Sequence, residues 1–158
     1  MKFYVENKLI TIGGSSSIFD AENNEVYRVK GKIITLTQKK IFKDVEGNVL
    51  YKIRNSFIHA PFIHSAFLCT AKGKKILKVK EKVGVGYKII YGDNDMDIEG
   101  KWFSLSSSIK ENGNVIATVT RNLNLFVDKF EVETFDVEDP ALCLALVICM
   151  DNIADKIG

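Results

Sequence analysis

Ten consecutive apolar residues near the C-terminus, 141–150, constrain the fold of this chain more than any other feature of its sequence. On an α-helix the run covers about 15 Å, and apolar side chains surround the whole circumference, whereas a surface helix needs only one apolar stripe. A helix that spans a bilayer needs about 20 such residues. The run therefore predicts a helix that protein encloses on every side.

The residues around the run indicate where this helix begins and ends. Asp139 can accept hydrogen bonds from the first-turn amides, and Pro140 suits the first helical position. Lys156 and Gly158 are typical of a helix end.

A strand, turn, strand unit occurs four times along the rest of the chain. Each copy contains Gly or Asn residues, which tolerate the positive φ angles of a tight hairpin turn. After each turn, apolar residues two positions apart share one face of a strand, and polar residues take the other face. The copies cover residues 20–29, 44–53, 70–79 and 110–119.

One apolar residue in each copy is in phase with the polar face. This pattern has two explanations, a β-bulge in each hairpin or a covered end of the barrel. The four residues are Val26, Leu50, Ile76 and Ile116.

Further runs rich in Val, Ile, Phe and Tyr bring the total to roughly ten to twelve short strands, as expected of an all-β sandwich or barrel. Because strands are the only other elements, enclosing the helix requires a sheet that curls around it. A closed sheet also has no exposed edges. We therefore predict a mainly β fold, a closed antiparallel barrel around a C-terminal helix. The additional runs are 3–12, 85–91, 95–99, 101–109 and 126–134.

The length of 158 residues predicts one domain that covers residues 1–158. Its three cysteines are an odd number, and two of them, Cys143 and Cys149, lie in the apolar run, which favours a reducing compartment. The first eight residues are too polar for a secretion signal. We therefore expect a cytoplasmic protein.

Charge is divided unevenly between the two parts of the chain. Residues 1–90 contain 17 Lys and Arg against 7 Asp and Glu, a net of +10, whereas residues 91–158 contain 5 against 13, a net of −8. Two interpretations remain open: the parts attract one another within the fold, or they present a basic face to an anionic partner.

Eight basic residues occupy equivalent places in three of the repeated units, always on the polar face of the strand. If these strands lie side by side, they form a positive surface able to hold phosphates or an anionic membrane. The alternative is a solvated barrel exterior. The candidate anion-binding residues are Arg28, Lys30 and Lys32, then Lys52 and Arg54, then Lys78, Lys80 and Lys82.

No motif in the sequence indicates catalysis, a cofactor or a metal. His59 and His64 lack nearby ligands that would complete a metal site, and we expect them in a loop. The acidic alternation at 93–99 lacks the glycine and the closing glutamate of a calcium loop, so an acidic strand entry explains it better. We expect no catalytic residue, no metal and no cofactor.

The sequence resembles the LURP-one-related family of the Tubby C-terminal-like superfamily, which also contains the phospholipid scramblases. The resemblance is carried by Met1–Val5, by the turn-centred unit 44–53, by 96–103 and by Glu138-Asp139 before the apolar run, and it is strongest to short bacterial members. It implies a twelve-stranded barrel with the C-terminal helix through its centre and no catalytic motif. Tubby domains bind phosphoinositide headgroups through basic residues, but those ligands match no particular positions here. The calcium-binding and lipidation features of scramblases are not found.

Three hypotheses of function follow. The first is a non-catalytic binding or scaffold domain that recognises anionic phospholipid or another polyanion through a basic barrel face, peripheral to the membrane. The second is a protein-interaction module with no charged ligand. An enzyme is third, because a filled barrel leaves little room for a pocket. Nucleic acid ranks below lipid, since the basic strands lack interleaved exposed aromatics.

Overall fold

A computed structural model describes residues 1–8, 14–31, 39–56, 63–82, 86–91, 96–100, 106–123 and 128–154. These residues form strands followed by one helix. The first six strands are β1 (Lys2–Lys8), β2 (Ser15–Asp20), β3 (Glu25–Gly31), β4 (Lys40–Asp44), β5 (Val49–Asn55) and β6 (Ile63–Thr70). The remaining elements are β7 (Lys75–Lys82), β8 (Gly86–Tyr91), β9 (Met96–Glu99), β10 (Ser106–Glu111), β11 (Asn114–Leu123), β12 (Asp128–Thr134) and α1 (Pro140–Ala154).

The strands form one antiparallel sheet of twelve in the order β8-β7-β6-β5-β4-β3-β2-β1-β12-β11-β10-β9. Its two outermost strands, β8 and β9, come within 8 Å of each other at their Cα atoms, so the sheet curls into a nearly closed barrel. The predicted fold class is confirmed. Strands β1–β8 come from the basic part of the chain, apart from Tyr91 at the end of β8, and β9–β12 come from the acidic part.

Each of the four repeated units is a hairpin with a β-bulge at the equivalent place. In the first hairpin, Ile18 pairs with Tyr27 and Phe19 pairs with Glu25, so Val26 is the additional residue. The same shift occurs between β4 and β5, between β6 and β7, and between β10 and β11. The pairing decides in favour of the bulge, and all four additional residues pack against the core. They are Val26, Leu50, Ile76 and Ile116.

The turns of the hairpins explain the Gly and Asn residues of the repeat. The first three turns each have one left-handed residue at the same position, Asn23, Gly47 or Gly73, with φ of 65°, 93° and 92°. The fourth turn is shorter, because Asn112 and Gly113 both have positive φ and connect the strands directly. The repeat therefore extends to the bulges, but only three of the four turns have the same length.

Helix α1 fills the barrel. Its side chains from residue 143 to 153 are at most 2% exposed, and they form one core with the inward side chains of the strands. Asp139 caps the helix, since the Leu142 N–H donates to the Asp139 carboxylate at 3.3 Å. The enclosed helix and its predicted start are confirmed. Residues 155–158, including its predicted end, lie outside the described residues.

The last turn of α1 brings polar side chains into the barrel. Asn152 and Asn55 of β5 are both buried and exchange two hydrogen bonds, at 2.9 and 3.1 Å. Asp151 lies 3.6 Å from the Lys40 Nζ and accepts a hydrogen bond from Asn7 at 3.1 Å. These contacts join the helix to three strands, β1, β4 and β5.

Within the described residues, no helix combines the length and the apolar character that crossing a membrane requires.

Candidate functional site

The predicted basic residues lie on the outer face of β3, β5 and β7. These three strands do not pair with one another as the hypothesis required, because β4 lies between β3 and β5 and β6 lies between β5 and β7. Lys32 lies outside the described residues, and only the backbone of Lys82 is described, at the end of β7. The other six have outward side chains: Arg28, Lys30 and Lys52 are exposed, and Arg54, Lys78 and Lys80 are half-buried.

The register nevertheless brings these cations into rows that run across the strands. Residues directly opposite one another in such a ladder have Cβ atoms about 4.5–5.5 Å apart. Several residues that the sequence analysis did not select complete the rows. One row is Lys30, Ile41, Lys52 and Cys69; the next is Arg54, Phe67 and Lys78; the third is Ser65, Lys80 and Lys88. We call these outward residues of β3–β8 the basic face.

Phe67 lies in the middle of the basic face, among three cations. The Lys75 Nζ is 4.3 Å from the ring centroid, the Lys78 Nζ is 5.2 Å away and the Arg54 guanidinium carbon is 5.7 Å away. An aromatic ring therefore lies among the cations of this face, although Phe67 is half-buried and belongs to β6, between the basic strands β5 and β7. The sequence pattern indicated that the Phe67 side chain points outward, because Phe67 lies between Ala66 and Leu68, two residues of the core, and side chains alternate along a strand.

Ion pairing differs between the two sides of the barrel. On the side formed by β1 and β9–β12, three lysines pair with glutamates: Lys2 with Glu131, Lys110 with Glu99, and Lys129 with Glu6, at 2.5–2.8 Å. On the basic face, Arg28 pairs with Glu25 at 2.5 Å. Within the described part of the chain, all five lysines of the three rows lack a carboxylate within 4.0 Å. They are Lys30, Lys52, Lys78, Lys80 and Lys88.

A pocket of about 210 Å³ opens on the basic face between β4, β5 and the turn after β6. The residues that line it are Lys39, Lys40, Ile41, Lys52, Ile53, Arg54, Cys69 and Gly73. We call it the basic pocket. Two of its residues, Lys52 and Arg54, were predicted anion ligands, and Lys39 and Cys69 were not.

A second pocket, of about 370 Å³, lies beside the start of α1. Four carboxylates surround it: Glu111, Asp136, Glu138 and Asp139. Its apolar residues are Met96, Ile116, Val137, Leu142 and Cys143. Asp139 also accepts a hydrogen bond from the Tyr51 hydroxyl. The two pockets therefore have opposite charge and lie against different elements.

His64 lies in β6 and not in a loop, which corrects the sequence prediction; His59 is outside the described residues. His64 is opposite Glu81 of β7, and Glu81 is 4% exposed. Burial raises the pKa of the Glu81 carboxyl, and the nearby His64 partly opposes that shift. This pair lies toward the barrel interior, away from the basic face.

The cysteines do not supply a reactive thiolate at neutral pH. Burial, with Asp139 and Glu111 nearby, raises the pKa of Cys143 to about 12. Burial also raises the pKa of Cys149 and Cys69. Across the described ranges, no group of three or more His, Cys, Asp or Glu side chains is placed to hold a metal ion. The acidic residues at 93–95 lie outside those ranges.

Comparison with known proteins gives a family and a structural relative. The family model of LURP-one-related proteins matches residues 1–151. No curated protein sequence matches the chain significantly. An X-ray structure of a protein from Arabidopsis thaliana superposes with a TM-score of 0.69 at 19% identity, over 97% of this chain and 91% of that one. At this identity the likeness shows the fold.

Proposed function

Because this chain belongs to the LURP-one-related family, we propose that residues 1–158 act as one non-catalytic binding domain, which recognises anionic phospholipid through the basic face. The protein then works in the cytoplasm and associates peripherally with a membrane. It needs no metal and no cofactor for this role.

The observation that carries the proposal is the group of five lysines without a carboxylate within 4.0 Å among the described residues. Lys30, Lys52 and Lys80 lie on three strands of one curved sheet face, and Lys88 extends it to β8. Each such charge near an anionic membrane contributes about 1 kcal/mol to binding. A set of cations on one face can therefore bind a membrane without a deep pocket.

The buried thiols and the interior of the barrel support a non-catalytic role. The α1 side chains and the inward strand residues fill the space that a substrate would need in a barrel enzyme. The three thiols have raised pKa values, so they are poor nucleophiles at neutral pH.

Vesicle binding tests the proposal. We expect the protein to bind phosphatidylglycerol vesicles at low salt and not to bind phosphatidylcholine vesicles. At 1 M salt the Debye length is only about 3 Å, so the protein should dissociate from the phosphatidylglycerol vesicles. Simultaneous Lys78→Glu, Lys80→Glu and Lys88→Glu substitutions should abolish binding. Binding that is absent in the wild type, or that survives this triple reversal, would refute the proposal.

A control variant separates the basic face from net charge. Lys2→Glu, Lys110→Glu and Lys129→Glu change the net charge by the same amount on the opposite side of the barrel, where all three lysines are paired with glutamates. We expect this variant to retain vesicle binding. Melting curves of both variants should show cooperative unfolding, so that loss of binding is not loss of fold.

The second candidate function is a protein-interaction module. It is favoured by two exposed apolar side chains, Phe135 at 40% and Val115 at 41% exposure, which lie on chain segments joined by the hydrogen bond from the Phe135 N–H to the Ile116 carbonyl. A partner bound there would resist high salt. Loss of such a partner on Phe135→Glu, with no effect of the lysine reversal above, would favour this second function.

A further inference from the structure

The basic pocket differs from the rest of the basic face because it is concave. It is about 210 Å³ in volume, whereas a single water molecule needs only about 10–15 Å³ on this measure. Gly73 and Cys69 form its wall beside the β6–β7 hairpin, and Ile41 contributes apolar surface. The pocket has room for a phosphorylated polar group larger than a bare ion.

Three cations line this pocket in addition to Lys40. Lys52 and Arg54 are two residues apart on β5 and share its outer face, and Lys39 immediately precedes β4. The Lys40 charge is already balanced by Asp151 inside the barrel. Every described lining residue is basic or uncharged. Because neither Lys52 nor Arg54 has a carboxylate within 4.0 Å among the described residues, the pocket carries a local excess of positive charge.

Arg54 is held in place before any ligand arrives. Its guanidinium carbon lies 5.7 Å from the centroid of the Phe67 ring, and its positive charge lies close enough to the Cys69 thiol to oppose the rise that burial causes in the thiol pKa. A guanidinium fixed by two neighbours loses less conformational freedom when it binds a second partner. It can then offer a planar pair of N–H donors to two oxygens of one phosphoryl group, the arrangement that Arg forms with phosphates.

From these contacts we propose that the basic pocket binds a phosphomonoester group, either of a small polar molecule or of a lipid headgroup. This inference rests on the proposed function in using the basic face as the ligand surface. A phosphomonoester carries about 1.5 to 2 negative charges at pH 7 and three terminal oxygens. Arg54 takes two of these oxygens, and Lys52 takes the third. A phosphodiester has one charge and two terminal oxygens, so it leaves at least one of the cations unused.

A titration with soluble probes tests the pocket without a membrane. We expect glycerol 3-phosphate, a monoester, to shift backbone amide resonances of residues 52–54 and 69–73, and dimethyl phosphate, a diester, to bind at least about tenfold more weakly, since a lost charge-assisted hydrogen bond accounts for that factor. Equal affinity for the two probes, or shifts spread over the whole basic face, would overturn the inference.

Two variants separate the effect of the paired N–H donors of Arg54 from the effect of its positive charge. Arg54→Lys keeps the charge but loses the paired donors, and we expect about a tenfold loss of glycerol 3-phosphate affinity. Lys88→Gln removes a charge of the same face outside the pocket, and it should change that affinity less than about twofold. An Arg54→Lys variant that folds and binds as tightly as the wild type would contradict the proposal.

Vesicles distinguish the two sources of the ligand and separate this inference from the proposed function. If the source is a lipid, vesicles that contain phosphatidic acid, a monoester, should bind more tightly than phosphatidylglycerol vesicles of equal surface potential, and Arg54→Lys should remove the preference. Binding of both lipids without preference, together with equal affinity for the soluble probes, refutes the pocket but leaves the proposed function intact. Binding of glycerol 3-phosphate without binding of any vesicle supports the pocket, indicates a soluble ligand and refutes the membrane function.

Discussion

Lys40 and Asp151 form an ion pair inside the barrel, with the Lys40 Nζ 3.6 Å from an Asp151 carboxylate oxygen and the two side chains only 5% and 3% exposed. The pair joins β4 to the last turn of α1. Two buried charges are stable only together, since either one alone would remain in a medium that solvates it poorly.

Lys40→Met should therefore destabilise the protein by about 3–5 kcal/mol, because it leaves the Asp151 charge without its cation. The double variant Lys40→Met, Asp151→Asn should recover most of this loss, since it removes both charges and keeps an oxygen for the Asn7 amide. Denaturant unfolding measures both values. A double variant as unstable as the single one would show that the ion pair is not the cause.

Leu146 tests the enclosed helix. This residue is 0% exposed, so Leu146→Asp should prevent folding, and Leu146→Ala should cost about 2–5 kcal/mol. Val115→Asp, at a position that is 41% exposed, is the control and should melt as the wild type does. A cooperative, wild-type-like melt of Leu146→Asp would contradict the architecture.

Asp139 should stabilise the start of α1. Its carboxylate accepts hydrogen bonds from the Leu142 N–H and the Tyr51 hydroxyl, so Asp139→Ala should lower the free energy of unfolding by about 0.5–2 kcal/mol. Glu138→Ala makes the same change of charge at the neighbouring exposed residue and should cost less. Equal losses in thermal or denaturant melts would mean that charge, and not capping, is responsible.

Glu81 should make stability depend on pH. Burial raises its native pKa above the unfolded value of about 4.3, so the unfolded chain loses this proton first. The Glu81 contribution is complete below about pH 4.3 and is lost as pH rises through the native pKa. Unfolding free energies of the wild type should fall more steeply over this range than those of Glu81→Gln. The exposed Glu22→Gln is the control, and identical slopes for wild type and Glu81→Gln would contradict the prediction.

The architecture could be predicted from the sequence because its two signals are local. The length of the apolar run at 141–150 excluded both a surface helix and a membrane span, and the Gly and Asn residues at 47, 73, 112 and 113 marked hairpins. The exception was the phase of Val26 and its three equivalents, which allowed two explanations. Only the pairing of the strands shows that each one is a bulge residue.

The polar contacts inside the barrel could not be predicted in the same way. Lys40 shares the strand phase of Phe42, and Asn55 shares that of Ile53, so their inward direction was present in the pattern. Their partners are more than 90 residues away on α1, however, and no local rule pairs them. Likewise, the sequence alone did not place Phe67 near the basic residues. The strand register shows that Phe67 lies opposite Arg54 on one side and Lys78 on the other.

The order of the strands gives the molecule a permanent electric dipole. Strands β2–β8 carry the excess of cations and β9–β12 the excess of carboxylates, while the net charge is only +2. The electrostatic attraction between the whole molecule and a charged surface is therefore weak. The dipole nevertheless experiences a torque in the electric field of that surface. Approaching a negative surface, the barrel should rotate before contact, with β12 turned toward solvent, so that most encounters begin in a single orientation.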